Sequence, residues 1–359
     1  MKFFRCLFVL AAASPVWIFS QDSPPPYSFL NRSEEPNRWS FFVAGQYLYQ
    51  KAESEGFDIA YAHNEFAISN NSFSSDGQII RAELPWKNSA RVLAGFAYNQ
   101  WDLIGSWTFY RGEGAKNIES DIVDASAIDG PIGRFVDPTW LNFMNDTIDR
   151  YYTFSSFSSS YDLCYDCADL SAGKSIYFNP HFFMRPSFGL RAARIDHSLS
   201  LSGVNEVFAP TDPLPFFLEE SVKNRFRGIG MRAAVEARYA LNRYFSFYSE
   251  FIGALLFGGQ KGGIFIYTNT GSMGEDQFFT SDSPMYRFAI LPSWQADLGV
   301  KFSYPVQRSA ALFELGVGYE LTYWPHQWFV SRMYPELNEF RQPGDVSFRA
   351  LVVEGTFAY

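Results

Sequence analysis

The chain has 359 residues, of which 47% are hydrophobic, 19% aromatic and 19% charged, with a mean hydropathy of −0.13 and a formal charge of −9. That apolar content excludes a disordered chain. Beyond residue 20 the longest charge-free apolar stretch, Phe251–Gly259, falls well short of the ~18–20 residues of a membrane-spanning helix. The acidic balance argues against nucleic acid, whose binding needs a cationic footprint.

Residues 1–20 read as a secretory signal. Lys2 and Arg5 precede an apolar run, Cys6–Ala13, extended by Val16–Phe19, with cleavage after Ser20 or near Ala13. Removing Lys2 and Arg5 leaves 27 basic against 38 acidic residues, a net charge of −11. Gln21–Asn37, with three consecutive prolines, reads as an exported linker, and residues 38–359 as a single domain.

From Arg38 the hydropathy pattern has period two. Strands are expected at about 39–50, 78–99, 101–111, 151–171, 180–201, 223–240, 244–259, 286–303, 308–324 and 346–359. The alternation is plainest at Ile229, Met231, Ala233, Val235, Ala237 and Tyr239, which interleave with Arg232, Glu236 and Arg238. A helix would space apolar residues three and four apart. Several segments exceed the ~5–6 residues of an ordinary globular strand, whereas a tilted membrane-spanning strand needs ~9–11.

Tight connections are expected at Asn99-Gln100, Ser171–Pro180, Leu241–Arg243 and Tyr304–Arg308. Long ones are expected at 51–77, 112–150, 202–222, 260–285 and 325–345. Short turns on one side and long loops on the other predict an all-β, transmembrane, antiparallel up-and-down β-barrel, with periplasmic turns and extracellular loops. The count is about ten strands, or twelve if Phe57, Ile59 and Tyr61 form a further hairpin with a partner. Leu351, Val353, Phe357 and Tyr359 share one parity at the C-terminus and resemble the signal by which bacterial insertion machinery reads such barrels. Trp39, Trp101, Trp107, Trp294, Trp324 and Trp328 lie toward strand ends, where interfacial aromatic girdles sit.

The candidate functional residues are the charged ones on the opposite parity: Arg91, Asp102, Arg185, Arg191, Arg232, Glu236, Arg238, Glu250, Asp297, Lys301, Glu314 and Glu320. A lipid-facing Arg or Lys at mid-depth costs about 2–4 kcal/mol, so these side chains are expected to line the lumen. They would form either a charge-selective channel or an internal salt-bridge network that fills a narrow barrel.

Other motifs are weak. Ala168–Ser175 (ADLSAGKS) lacks the first glycine of a phosphate-binding loop and the helix after it. Gly228–Ala233 matches G-x-G-x-x-A but sits inside a strand. Cys164 and Cys167 have C-x-x-C spacing, and a disulfide within or between chains is the reading suited to an exported protein. On one extended strand the two point to opposite faces, which disfavours an internal bridge. His63, His181, His197 and His326 show no metal-ligand spacing, so neither metal nor cofactor is expected. With no G-x-S-x-G motif, an enzyme is not expected; a constellation using His197 or His326 on the loop side is the third reading.

Several segments together resemble the Legionella-type major outer membrane protein family, with relatives in chlamydia-related bacteria. They are Arg91–Tyr110, Ser187–Asp196, Gly228–Gly258, Leu291–Phe302 and Phe313–Gln327. The resemblance implies a pore-forming outer-membrane barrel, abundant at the surface, with an adhesive role also in view. It carries over no catalytic residue. Some members are cysteine-linked into an envelope network, which two mature cysteines do not readily supply. The expected function is passive diffusion of small hydrophilic solutes through a charged lumen, with a non-conducting adhesive barrel as the alternative. The partners expected are outer-membrane lipid and lipopolysaccharide, the insertion machinery and, for the adhesive reading, a host surface.

Overall fold

The computed structural model describes residues 39–54, 58–65, 78–81, 83–119, 122–124, 132–138, 156–205, 216–272, 275–282, 285–306, 311–327 and 344–359. The expected leader and linker, as well as Phe57 and Trp328, lie outside them. The described strands are β1 Trp39–Ser54, β2 Asp58–Glu65, β3 Gln78–Arg81, β4 Lys87–Tyr98, β5 Trp101–Glu119, β6 Ile122–Asp124, β7 Ile132–Pro138 and β8 Ser156–Lys174. They continue as β9 Ile176–Asn179, β10 Phe182–Asn205, β11 Phe216–Ala240, β12 Phe245–Ser272, β13 Glu275–Asp282, β14 Met285–Pro305, β15 Leu312–Trp324 and β16 Val346–Ala358.

Among the described residues, ten strands close a fully antiparallel barrel: β1, β4, β5, β8, β10, β11, β12, β14, β15 and β16. The ring is sealed by β1 against β16, where Phe41 and Tyr359 exchange both backbone hydrogen bonds at 2.8 Å. Closure removes every sheet edge, which is how strands satisfy their backbone groups in lipid. β9 pairs with β10 near one rim, and β13 is an extra strand on β12.

The tight turns follow local chemistry. Asn99 and Gln100 both have positive φ, 49° and 68°, the requirement of a two-residue type I′ hairpin. Asn179 Oδ1 accepts the backbone N–H groups of His181 and Phe182, and Asn242 Oδ1 those of Tyr244 and Phe245, at 2.8–2.9 Å. Each side chain thus closes its own turn. These turns and both ends of the barrel chain share one rim.

Three expectations need correction. The hairpin β2–β3 forms, but it joins β7 and β6 in a separate four-stranded sheet, so it adds nothing to the barrel. The 78–99 segment is not one strand: Gln78–Arg81 pairs with β2, and the barrel strand begins at Lys87. Much of the sequence assigned to long loops is strand instead, because β5 runs to Glu119, β10 to Asn205, β11 starts at Phe216 and β12 runs to Ser272. The cause is a change in the outer face. On β11 the outward residues from Tyr239 up to Ile229 are apolar, and above them come Arg227, Arg225 and Lys223. On β10 the outward face changes from Phe188, Leu190 and Ala192 to Arg194, Asp196 and a row of serines. The apolar band therefore has the ~9–11 residue width of a bilayer crossing. The polar rows above it belong to a strand wall standing in water. β10, β11 and β12 have 24, 25 and 28 residues. From Arg194 to Asn205 alone the wall adds roughly 40 Å of strand at ~3.3 Å per residue. On the other side β15 ends at Trp324 and β16 begins at Val346, so the wall is high over β5–β14 and low over β15–β4.

The barrel interior as candidate functional site

All twelve charged residues singled out in the sequence face inward and are buried or nearly so. Asp169 and Glu354, also inward, complete a belt of eight carboxylates and six cations. Both escape the sequence reading, although parity could have found them: Asp169 is in phase with Cys167 on β8, and Glu354 alternates with the apolar C-terminal signal.

The pairs are geometrically specific. Arg91 forks onto Glu320 at 2.7 and 2.9 Å, and also donates to Thr108 and Gln46. Arg185 forks onto Asp102, with its Nε at 2.6 Å. Arg191 forks onto Asp169 at 2.7 Å through both nitrogens and reaches Gln295 at 3.1 Å. Arg232 bridges Asp169 and Glu250, each at 3.3 Å. Arg238 bridges Glu236 and Glu314 at 3.2 and 3.3 Å. Lys301 donates to Glu354 at 2.8 Å and sits 4.9 Å from the Tyr248 ring centre. Bidentate guanidinium–carboxylate geometry explains why five of the six cations are arginine.

Many contacts span the lumen rather than follow the wall. β4 and β15 are joined by Arg91–Glu320, and β11 and β15 by Arg238–Glu314. Below the belt, toward the turn rim, Phe42, Phe183, Leu312 and Ala358 pack into one cluster from opposite walls, backed by Ile104 and Tyr177. Above it a second apolar layer includes Tyr165, Trp324, Phe348, Ile195, Phe226 and Leu256. Tyr165 and Trp324, on opposed strands, have ring centres 6.0 Å apart. Gln327 closes this layer from above: its carbonyl accepts from Asn224 at 2.6 Å and from Gln260 at 2.7 Å. Between the layers, a cavity of ≈ 100 Å³ is lined by Arg91, Asp169, Arg232, Glu250, Asp297 and their neighbours. Trp324 is thus corrected from an interfacial girdle residue to a fully buried inward one.

The remaining candidates fall elsewhere. Leu351, Val353, Phe357 and Tyr359 lie on the outer, lipid-facing side of β16. Cys164 is half-buried on the outer face of β8 and Cys167 buried on the inner face; both are free, because three residues of extended strand separate their directions. The ADLSAGKS stretch is strand, ending at Lys174 over the Trp101 ring. His326 is exposed at a turn with φ 58°. His197 is buried in the upper wall, above the apolar band, where Nδ1 is 2.8 Å from the Tyr161 hydroxyl.

Burial pushes the His197 imidazole down to about 3, against a weak opposing pull from Asp196. The unfolded chain takes up this proton near pH 6.5. Between pH 6.5 and 3 the unfolded state therefore holds one more proton, and the stability due to neutral His197 is complete above that window and lost as pH falls through it. Urea unfolding between pH 4 and 7 should show His197→Gln, which keeps a partner for Tyr161, with a pH slope shallower than wild type by about 1.4 kcal/mol per pH unit. Parallel slopes would mean that His197 is protonated in the folded wall.

A closed barrel with an apolar outer band, aromatic rims and an ion-paired interior defines a bacterial outer-membrane β-barrel protein. A family model described as Legionella pneumophila major outer membrane protein precursor matches residues 31–351, and the chain belongs to that family. No curated protein sequence matches it. Among solved structures it is similar to the Escherichia coli outer membrane protease OmpT, with 10% identity, TM-score 0.41, 91% of this chain and 99% of that one covered. It is also similar to the Pseudomonas putida toluene transporter TodX, with 6% identity, TM-score 0.28 and coverage of 94% and 95%. A third is Ail, the attachment invasion locus protein of Yersinia pestis, solved with a heparin analogue, with 11% identity, TM-score 0.22 and coverage of 89% and 97%. At such identities no activity passes from these proteins to this chain. The expectation that the chain is not an enzyme is corrected: the solved barrels it is similar to include an outer membrane protease.

Proposed function

We propose that this protein is a closed-lumen surface barrel whose raised wall and outer connections bind partners, rather than a resting diffusion channel. The observation that carries the reading is the layered interior. A charged belt linked across the lumen lies between two apolar layers, leaving ≈ 100 Å³ of space. Apolar constrictions of this kind exclude water and block ions by dewetting. The high strand wall supports the display half of the reading, since it extends well beyond what a bilayer crossing needs.

Solute diffusion is the second reading, favoured by the acidic surplus of the belt, which would select cations if the apolar layers parted. Refolded protein in planar bilayers separates the two. The closed reading expects no conductance steps in 1 M salt (roughly 3 Å of screening), and sustained stepwise openings would overturn it. Partner binding expects refolded protein on beads to adhere to host cells and to lose adhesion when residues 328–343 are deleted. Equal adhesion by the deleted form, still folded, would remove that segment from the binding surface.

A further inference from the structure

The outward charges just above the apolar band are not distributed evenly. On most of the described circumference they are paired. Arg349 bonds Glu53, Lys51 lies 3.7 Å from Glu53 and 3.9 Å from Glu83, and Arg111 bonds Asp166 at 2.9 Å. On β10–β12 the balance differs. Arg194 stands directly opposite Arg227, and Arg225 opposite both Asp196 and Lys261. Lys223 follows Arg225 on the same outer face. Five cations therefore face two carboxylates: Asp196, which bonds Arg194 at 2.9 Å and lies 3.3 Å from Arg225, and Asp166, which stands opposite Arg194 on β8 but is bonded to Arg111. Among the described residues, no carboxylate lies within ion-pair distance of Arg227, Lys223 or Lys261. This surplus stands on a chain whose overall charge is −9.

The geometry suits one ligand headgroup. Outward neighbours are ~7 Å apart along a strand and ~5 Å across strands, so the five cations fall within a patch of roughly 15 Å. Immediately below lie exposed apolar side chains: Ile229, Met231, Phe257 and Phe288, with Tyr286 beside Lys261 at 5.9 Å. Anionic groups above and acyl chains below are what such a surface matches. Arginine forks fix phosphate oxygens, and a basic cluster at the membrane surface holds anionic headgroups.

We propose that Arg194, Arg225, Arg227, Lys223 and Lys261 form a docking site for the phosphorylated headgroup of an outer-leaflet glycolipid, whose acyl chains lie against the apolar band beneath. This inference rests on the outer-membrane placement and stands whether or not the lumen conducts.

The test uses the full-length refolded barrel and purified lipopolysaccharide, intact or enzymatically dephosphorylated, with bound lipid read by native mass spectrometry and by titration. Arg225→Gln, Arg227→Gln and Lys261→Gln combined should weaken binding roughly tenfold or more, given the sizeable contribution of each surface cation. Lys174→Gln with Arg243→Gln removes exposed charge at the turn rim and should change nothing. Wild type should bind the dephosphorylated lipid as weakly as the triple variant binds the intact one. Equal affinity of wild type for both lipids would overturn the proposal even if the triple variant failed to fold. So would full displacement of the lipid by millimolar inorganic phosphate, which would mark a free-phosphate site. Equal loss in the turn-rim variant would reduce the effect to general charge.

Discussion

Replacing Arg185 by methionine should lower the unfolding free energy of the barrel by about 3–5 kcal/mol, the cost of leaving a buried carboxylate without its partner. Asp102 is the group stranded. Its side chain is fully buried, and its partner in the structure is the Arg185 fork. The space around that fork is shaped for it: a Cβ at Gly173, the residue facing Asp102 across β5 and β8, would lie 2.8 Å from the guanidinium. No neighbouring cation is placed to take over. Arg238 is committed to Glu236 and Glu314, and Arg191 to Asp169. The double variant Arg185→Met with Asp102→Leu should recover most of the loss, because well-packed apolar residues often replace a buried ion pair at little cost. Urea unfolding of all four proteins in lipid closes the cycle. If the two single losses simply add in the double variant, the pair is not coupled and the belt is not an interlocked network.

The same pair shows what the sequence reveals and what it hides. Strict alternation exposes the faces, so Arg185 and Asp102 are assignable to the interior from the order of residues alone. Their pairing is not, since the two lie on strands separated by β8 and meet only once the barrel curls. Strand ends are obscured where the outer face turns polar. Ser202–Asn205 looks like the start of a loop by composition, yet it continues β10 and pairs with Phe216–Glu219 of β11. Trp324 misleads for a related reason: aromatic residues near a strand end suit a girdle, but its parity points inward, onto Tyr165. The β2–β3 hairpin is legible as a hairpin but not as part of a separate sheet, because its partner β7 comes more than fifty residues later in sequence. The apolar packing across the lumen is the least legible feature. Phe42, Phe183 and Leu312 are unremarkable singly, and only the cylinder brings them together.

Gly230→Val should abolish folding of the barrel. Gly230 faces inward on β11, opposite Leu256 on β12, within the G-x-G stretch that superficially resembles a nucleotide-binding turn. A Cβ there would run into the carbonyl oxygen of Leu255 and lie 2.6 Å from the Cα of Leu256. Both obstacles are backbone, so no rotamer change relieves them. Spreading the strands would break ladder hydrogen bonds between β11 and β12 at the upper edge of the apolar band, where lipid offers no replacement. The penalty therefore exceeds the ~1–3 kcal/mol typical of side-chain overpacking. Gly189 against Leu170 and Gly258 against Arg227 make the same close approach, which places bare backbone where neighbouring strands coil tightly. Gly45 and Gly355 provide the contrast. They face each other across β1 and β16 with nothing within 4 Å of either added Cβ. Alanine at those two positions should be neutral or stabilising by up to about 0.5–1 kcal/mol, from the reduced freedom of the unfolded chain. Gel mobility before and after boiling reads the outcome directly. Gly230→Val should run unfolded in both lanes, and Gly45→Ala and Gly355→Ala should shift on heating as wild type does. A heat-modifiable Gly230→Val with wild-type resistance to urea would show that β11 and β12 have slack at this point, and the close approach would lose its structural role.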